Sequence, residues 1–172
     1  MVLTYRMASW VKMTLTMKTI IVGLGNPLLG DDGVGWKVAQ EVKQQLGDDS
    51  TVAVECYSLS GLSLMEQLIG YERVILIDSL NTGKHAQGEV VTFTLDTLED
   101  LTYGHSASAH DASLKTALGV GRSMGEELPA DSDIHVVAVE ARHVYDFKEE
   151  LSPEIAASVP VAVQTVIGLL GA

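Results

Sequence analysis

The chain is short of cysteine, of basic residues, of metalloprotease helix motifs and of long apolar runs, and each shortage closes off a class of function. A single cysteine, Cys56, has no partner for an internal disulfide, which fits a reducing compartment and makes a cytoplasmic location the expectation. Lys and Arg number 11 against 23 Asp and Glu, a formal net charge of −12. A surface of that sign repels phosphate backbones, so no nucleic-acid partner is expected. The most apolar stretch, Val159 to Ala172, is broken by Pro160 and Gln164 and falls well under the roughly 20 residues a membrane span needs. No membrane association is expected. H-E-x-x-H is absent, which excludes that class of zinc peptidase.

The opening "MVLTYRMASWVKMTLTMK" lacks a continuous apolar core and a small-residue cleavage site, and so does not read as a signal peptide. Met17 stands directly before the first extended run, so residues 1–16 read as a disordered lead-in or an extension from an upstream start. An ordered extra strand is the alternative. From residue 17 to 172 there is no repeat, low-complexity segment or linker, and a single domain is expected.

What is present is a globular composition: 172 residues, 47% hydrophobic and 20% charged, enough to bury a full core. Thr19–Gly25, Thr51–Ser58, Arg73–Leu80 and Asp133–Ala141 are apolar runs that read as buried strands. Gly88–Asp96 alternates apolar and polar residues, as a half-exposed strand does. Val34, Val38, Val42 and Leu46 recur every fourth residue and stop at Gly47, the pattern of a one-sided helix. A short helix precedes Gly70, another spans Asp111–Gly125 with Leu114, Ala117, Leu118 and Gly121 inward, and Ser152-Pro153 starts a last one, kinked at Pro160. Apolar strands separated by helices predict an α/β three-layer sandwich: a mostly parallel, twisted sheet of about five strands with helices on both faces.

Three chemistries compete for the polar residues. Gly23-x-Gly25 after a strand is how dinucleotide sites begin, but the next glycine is Gly30 and the aspartates Asp31 and Asp32 would oppose a pyrophosphate at a helix start. "GHSAS" (Gly104–Ser108) approximates a nucleophile elbow, with Asp131 or Asp133 and His135 or His143 following, yet its last glycine is Ser108. The third reading is a metal site. Asp31/Asp32 after the first strand, Asp78 ending the third and His110 before a helix all arrive beyond strand carboxyl ends, where open sheets gather ligands. Two carboxylates and one imidazole leave coordination positions open, as a catalytic site requires. Plain helix capping by the aspartates is the structural alternative. The remaining histidines read as solvated (His85, His105) or structural (His135, His143), and Cys56 as buried and inert.

"VGLGNPLLGDDGVG" (Val22–Gly35) closely resembles the N-terminal signature of the hydrogenase maturation endopeptidases, in which a strand runs into G-x-G-N, two or three apolar residues, an acidic pair and G-x-G. "VILIDSL", "SAHDASL" and "LSPEI" resemble that family's second strand, histidine segment and final helix start. The resemblance implies removal of a short C-terminal peptide from the large-subunit precursor of a nickel–iron hydrogenase once nickel is in place. It implies metal-contacting roles for Asp32, Asp78 and His110, with nickel carried by the substrate and no tightly bound cofactor of the enzyme's own. Gly25 and Asn26 would shape the loop, and Asp31 would assist the water or, in the plainer role, cap a helix. Many members carry an Asp-Gly-Gly segment after the second strand, where this chain has "CYSLSGLS" (Cys56–Ser63), so a different hydrogenase class is the expected target.

Two rivals frame this expectation. Peptidyl-tRNA hydrolase also begins with a strand and "VGLGNP", but resembles a different continuation, and the charge of −12 disfavours tRNA. A non-catalytic assembly chaperone would bind the precursor without cutting it. A monomer is expected.

Overall fold

A computed structural model describes residues 17–47, 51–97 and 109–171, with side chains in the third helix from Leu114 onward. The expectations for residues 1–16 and for the Gly104–Ser108 elbow lie outside the described residues. Five strands, β1 (Thr19–Leu24), β2 (Ala53–Tyr57), β3 (Arg73–Leu80), β4 (Val90–Thr94) and β5 (Ile134–Glu140), form one sheet in the order β2-β1-β3-β5-β4. The first four in that order are parallel and β4 runs antiparallel at one edge. β4 is the half-exposed strand, as its alternating sequence requires.

Helices α1 (Val34–Leu46) and α4 (Pro153–Leu170) cover one face, and α2 (Gly61–Gln67) and α3 (Ala109–Ser123) the other. β3 shows the alternation that makes two cores from one strand: Ile75 and Ile77 belong to the α1/α4 side, Leu76 and Leu80 to the α2/α3 side. Removing each of these side chains from water contributes about 2 kcal/mol. α3 begins at Ala109 rather than Asp111, so His110 sits within its first turn and not ahead of it. Ala109 is a strong helix former, and Asp111 suits the positive end of the helix dipole.

α4 is long and apolar enough by composition to cross a membrane, but Ile155, Val159, Val163 and Val166 are buried in the sheet-facing core. It continues past Pro160, which is exposed.

The chain leaves β1 toward β2 and then returns to place β3 on the other side of β1. β1 and β3 therefore flank a topological switch point, and the crevice beyond their carboxyl ends is where an open α/β sheet accepts a ligand. The helix after β1 comes unusually close there. A Cβ on Gly35 would lie 2.2 Å from the Leu24 carbonyl oxygen and 2.4 Å from that of Ile77, and one on Gly23 would lie 2.4 Å from the Gly35 carbonyl oxygen. The helix–strand packing that a dinucleotide fold assigns to its third glycine is done here by Gly35, inside the G-x-G that follows the acidic pair.

Candidate active site

The loop from β1 to α1 is fixed residue by residue. Gly25 has φ +116°, and a Cβ there would fall 1.9 Å from the Asp32 carbonyl oxygen, so no other residue fits. Asn26 Oδ1 accepts the Leu28 N–H at 3.0 Å, an Asx turn that reverses the chain. The segment after β5 seals the outside: Gly30 N–H donates to the Lys148 carbonyl at 2.6 Å, and Lys148 N–H to the Leu28 carbonyl at 3.1 Å. The divergent Cys56–Ser63 segment touches the same loop, because Ser58 Oγ donates to the Gly25 carbonyl at 2.6 Å.

The adjacent aspartates part company. Asp31 is fully buried and accepts two hydrogen bonds from Ser152, from its N–H at 2.6 Å and its Oγ at 2.9 Å. Ser152 is the N-cap of α4 without a side-chain cap bond to that helix. Its hydroxyl is spent on Asp31, which in turn carries negative charge to the positive end of α4. Asp31 is thus a strut between the β1–α1 loop and α4. Asp32 is half-exposed. Its Oδ2 accepts the Asn26 N–H at 2.7 Å and its Oδ1 the Ser79 hydroxyl at 3.0 Å.

Asp78, 2% exposed, ends the apolar run of β3, and its Oδ1 accepts the Ser79 N–H at 2.8 Å. By strand alternation Asp78 belongs to the face covered by α3, whose first turn carries His110, while Ser79 belongs to the α1 face. One residue therefore ties both carboxylates together across the switch point. Ser79 is not among the site residues that the sequence suggests; its one signal is a second polar residue, after Asp78, at the end of an apolar run.

A third carboxylate is equally silent in the sequence. Glu140, fully buried at the end of β5, accepts the Thr82 N–H at 2.9 Å, the Thr82 Oγ1 at 2.7 Å and the Gly83 N–H at 2.7 Å. It anchors the loop that leaves β3 beside Asp78. Among the described residues no group of three His, Cys, Asp or Glu side chains stands at metal-holding distance; the side chain of His110 lies outside them.

The other candidates have surroundings of their own, although the His143 carbonyl accepts the Asp31 N–H at 3.4 Å. Cys56 is half-buried rather than buried, and burial, helped by Glu55, pushes its thiol pKa up. It stays protonated and unreactive near neutrality. His135 lies toward the opposite end of the sheet, where burial and the nearby Arg73 lower its pKa. His143 is exposed, its ring 3.5 Å from Asp146, and His85 contacts Glu89 at 3.0 Å.

Comparison with known proteins agrees with this fold. Residues 36–169 match the family model described as hydrogenase maturation protease. The chain is 23% identical over 110 residues to the hydrogenase 2 maturation protease of Escherichia coli, covering 64% of this chain and 66% of that protein. It is 28% identical over 142 residues to protein FrxA of Pyrococcus furiosus, covering 83% and 97%. The solved [NiFe] hydrogenase maturation protease HybD from Thermococcus kodakarensis superposes with a TM-score of 0.70 at 27% identity, covering 90% of this chain and 99% of that one. The E. coli maturating endopeptidase HybD shares the fold, with a TM-score of 0.67 at 22% identity over 90% and 92% of the two chains. A polar crevice built at the β1/β3 switch point, in a chain matched over most of its length, leaves one conclusion: this protein belongs to the hydrogenase maturation protease family.

Proposed function

We propose that the chain is an endopeptidase that removes a short C-terminal peptide from the nickel-loaded precursor of a [NiFe]-hydrogenase large subunit, reading nickel that the substrate itself carries. The observation that supports this most is the pair Asp32 and Asp78, held by one residue, Ser79, at the C-terminal ends of β1 and β3. Carboxylates so fixed suit a hard or borderline divalent ion. His110, in the first turn of α3, is the third group proposed for the site.

In this reading nickel is part of the substrate, and its chemistry is to polarise the scissile carbonyl or acidify a bound water. The chain's own task is positioning. Asn26 N–H and the Ser79 hydroxyl fix the plane of the Asp32 carboxylate, and Ser79 N–H fixes that of Asp78. An unloaded precursor offers these carboxylates no cation, so it is not cut. The cytoplasm, where the precursor is made, is the proposed place of action.

The test is to incubate purified protein with nickel-loaded precursor and follow the mass of the large subunit. A decrease equal to a short C-terminal peptide is expected. Tight binding without any mass change would replace the protease by a chaperone.

A further inference from the structure

The strand β5 and helix α4 are joined by a loop, Ala141 to Leu151, with an uneven surface. Val144 is buried and anchors it, yet Tyr145 and Phe147 are each 84% exposed, the most exposed large hydrophobic side chains among the described residues. Phe147 is one of only two phenylalanines in the chain. Aromatic side chains each bury roughly 150–250 Å² when covered, so leaving two in water on one short loop forgoes a large stabilisation.

The loop is not loosely attached. Its Lys148 pairs with Leu29 in a parallel bridge and exchanges backbone hydrogen bonds with Leu28 and Gly30 of the Asp32-bearing loop. Beside it lies an open groove of about 340 Å³, whose apolar wall is Pro27, Leu28, Trp36 and Leu151. Leu28 is itself 46% exposed. The exposed pair and the groove thus make an apolar strip along this loop, and Pro27, Leu28 and Gly33 of the groove belong to the segment that carries Asp32.

We infer that this strip, Tyr145 and Phe147 with the Pro27–Trp36–Leu151 groove, is the surface on which the hydrogenase precursor docks, through an apolar segment flanked by basic residues. The inference rests on the proposed peptidase reading. Its occupant follows from position and charge. A protein cut at Asp32 and Asp78 must approach the segment that carries Asp32, and the strip is bonded to that segment and partly lined by it. Lys37 lines the groove, yet the loop's Asp146, Glu149 and Glu150 outnumber its Arg142 and Lys148 on a chain of net charge −12, so the complement of the strip is basic. Tyr and Trp anchors ringed by polar residues are the usual makeup of a binding hot spot. Docking here adds affinity from outside the reacting groups, so specificity for one precursor need not come from the crevice alone.

The test is Tyr145→Ser/Phe147→Ser, two exposed positions whose change removes no hydrogen bond described above. Cleavage of nickel-loaded precursor should show KM raised about tenfold or more with kcat little changed. Binding of nickel-free precursor, followed by biolayer interferometry, should weaken by a similar factor. Unchanged KM and unchanged binding overturn the docking surface while leaving the peptidase intact. If wild-type protein cuts nothing, the peptidase reading fails, and the interferometry still decides the docking. If light scattering finds a wild-type dimer that the double variant converts to monomer, the strip is covered by a second copy and the proposal is wrong.

Discussion

The Ser79 hydroxyl lies 3.0 Å from Oδ1 of Asp32, while the N–H of the same residue holds Asp78 at 2.8 Å. A side chain from β3 thus sets the orientation of a carboxylate that follows β1. Ser79→Ala removes one hydrogen bond to a charged acceptor, an interaction of about 1.5–3 kcal/mol. Asp32 is half-exposed, so water replaces the lost donor and the fold changes by less than about 1 kcal/mol. Positioning suffers more: the cleavage rate should fall about tenfold or more. Stopped time courses on nickel-loaded precursor, beside a urea melt, separate the two effects; an unaltered rate would mean that Asp32 does not need Ser79.

Asp31 and Asp32 should respond in opposite ways. Asp31→Ala strips Ser152 of both bonds it makes to that carboxylate, in a fully buried place. A loss of about 2–3 kcal/mol is expected, with cleavage persisting at temperatures where the variant is folded. Asp32→Asn keeps shape and should leave the melting curve near wild type while abolishing cleavage. Calorimetry and the mass assay on both variants check this; the reverse pattern would exchange their roles.

Gly35 predicts a packing effect. An added methyl meets the backbone carbonyls of Leu24 and Ile77 at 2.2 and 2.4 Å, atoms that cannot swing aside. Gly35→Ala should therefore push α1 off the sheet and cost about 3 kcal/mol or more, seen as a lowered urea midpoint. Gly119, where an added methyl would meet nothing within 4 Å among the described residues, is the control and should tolerate Ala.

Glu140 predicts a local loosening. Its carboxylate takes three donors from Thr82 and Gly83, and Glu140→Ala leaves them unpaired at about 1–3 kcal/mol. Amide exchange at Thr82 and Gly83 should quicken, while that of β1 holds its protection until global unfolding. Unchanged exchange at those two amides would contradict the anchor.

Sequence reveals some of these effects and hides others. Strands and helices are legible because burial imposes period: β3 is apolar for most of its length, α1 every fourth residue, and the observed bounds agree within a few residues. The choice of Asp32 over Asp31 comes from the family motif, and only the folded chain shows Asp31 bound to Ser152, 121 residues away. Ser79 and Glu140 are illegible for the same reason. Asp32 is 47 residues from Ser79 and Thr82 is 58 from Glu140, and a serine or glutamate at a strand end carries no periodic signal. The Gly35 contact is hidden because a glycine at a helix start reads as an ordinary loop residue until two strands are seen beneath it.

Whether Asp32 and Asp78 read nickel in the substrate is the central question for this site. The most direct measurement is the rate of C-terminal peptide release from nickel-loaded precursor relative to nickel-free precursor, for wild type, Asp32→Asn and Asp78→Asn. Wild type should cut the loaded form and leave the nickel-free form intact, and each variant should cut neither. Equal cleavage of both forms by wild type, or retained cleavage of the loaded form by either variant, would contradict nickel reading by these two carboxylates.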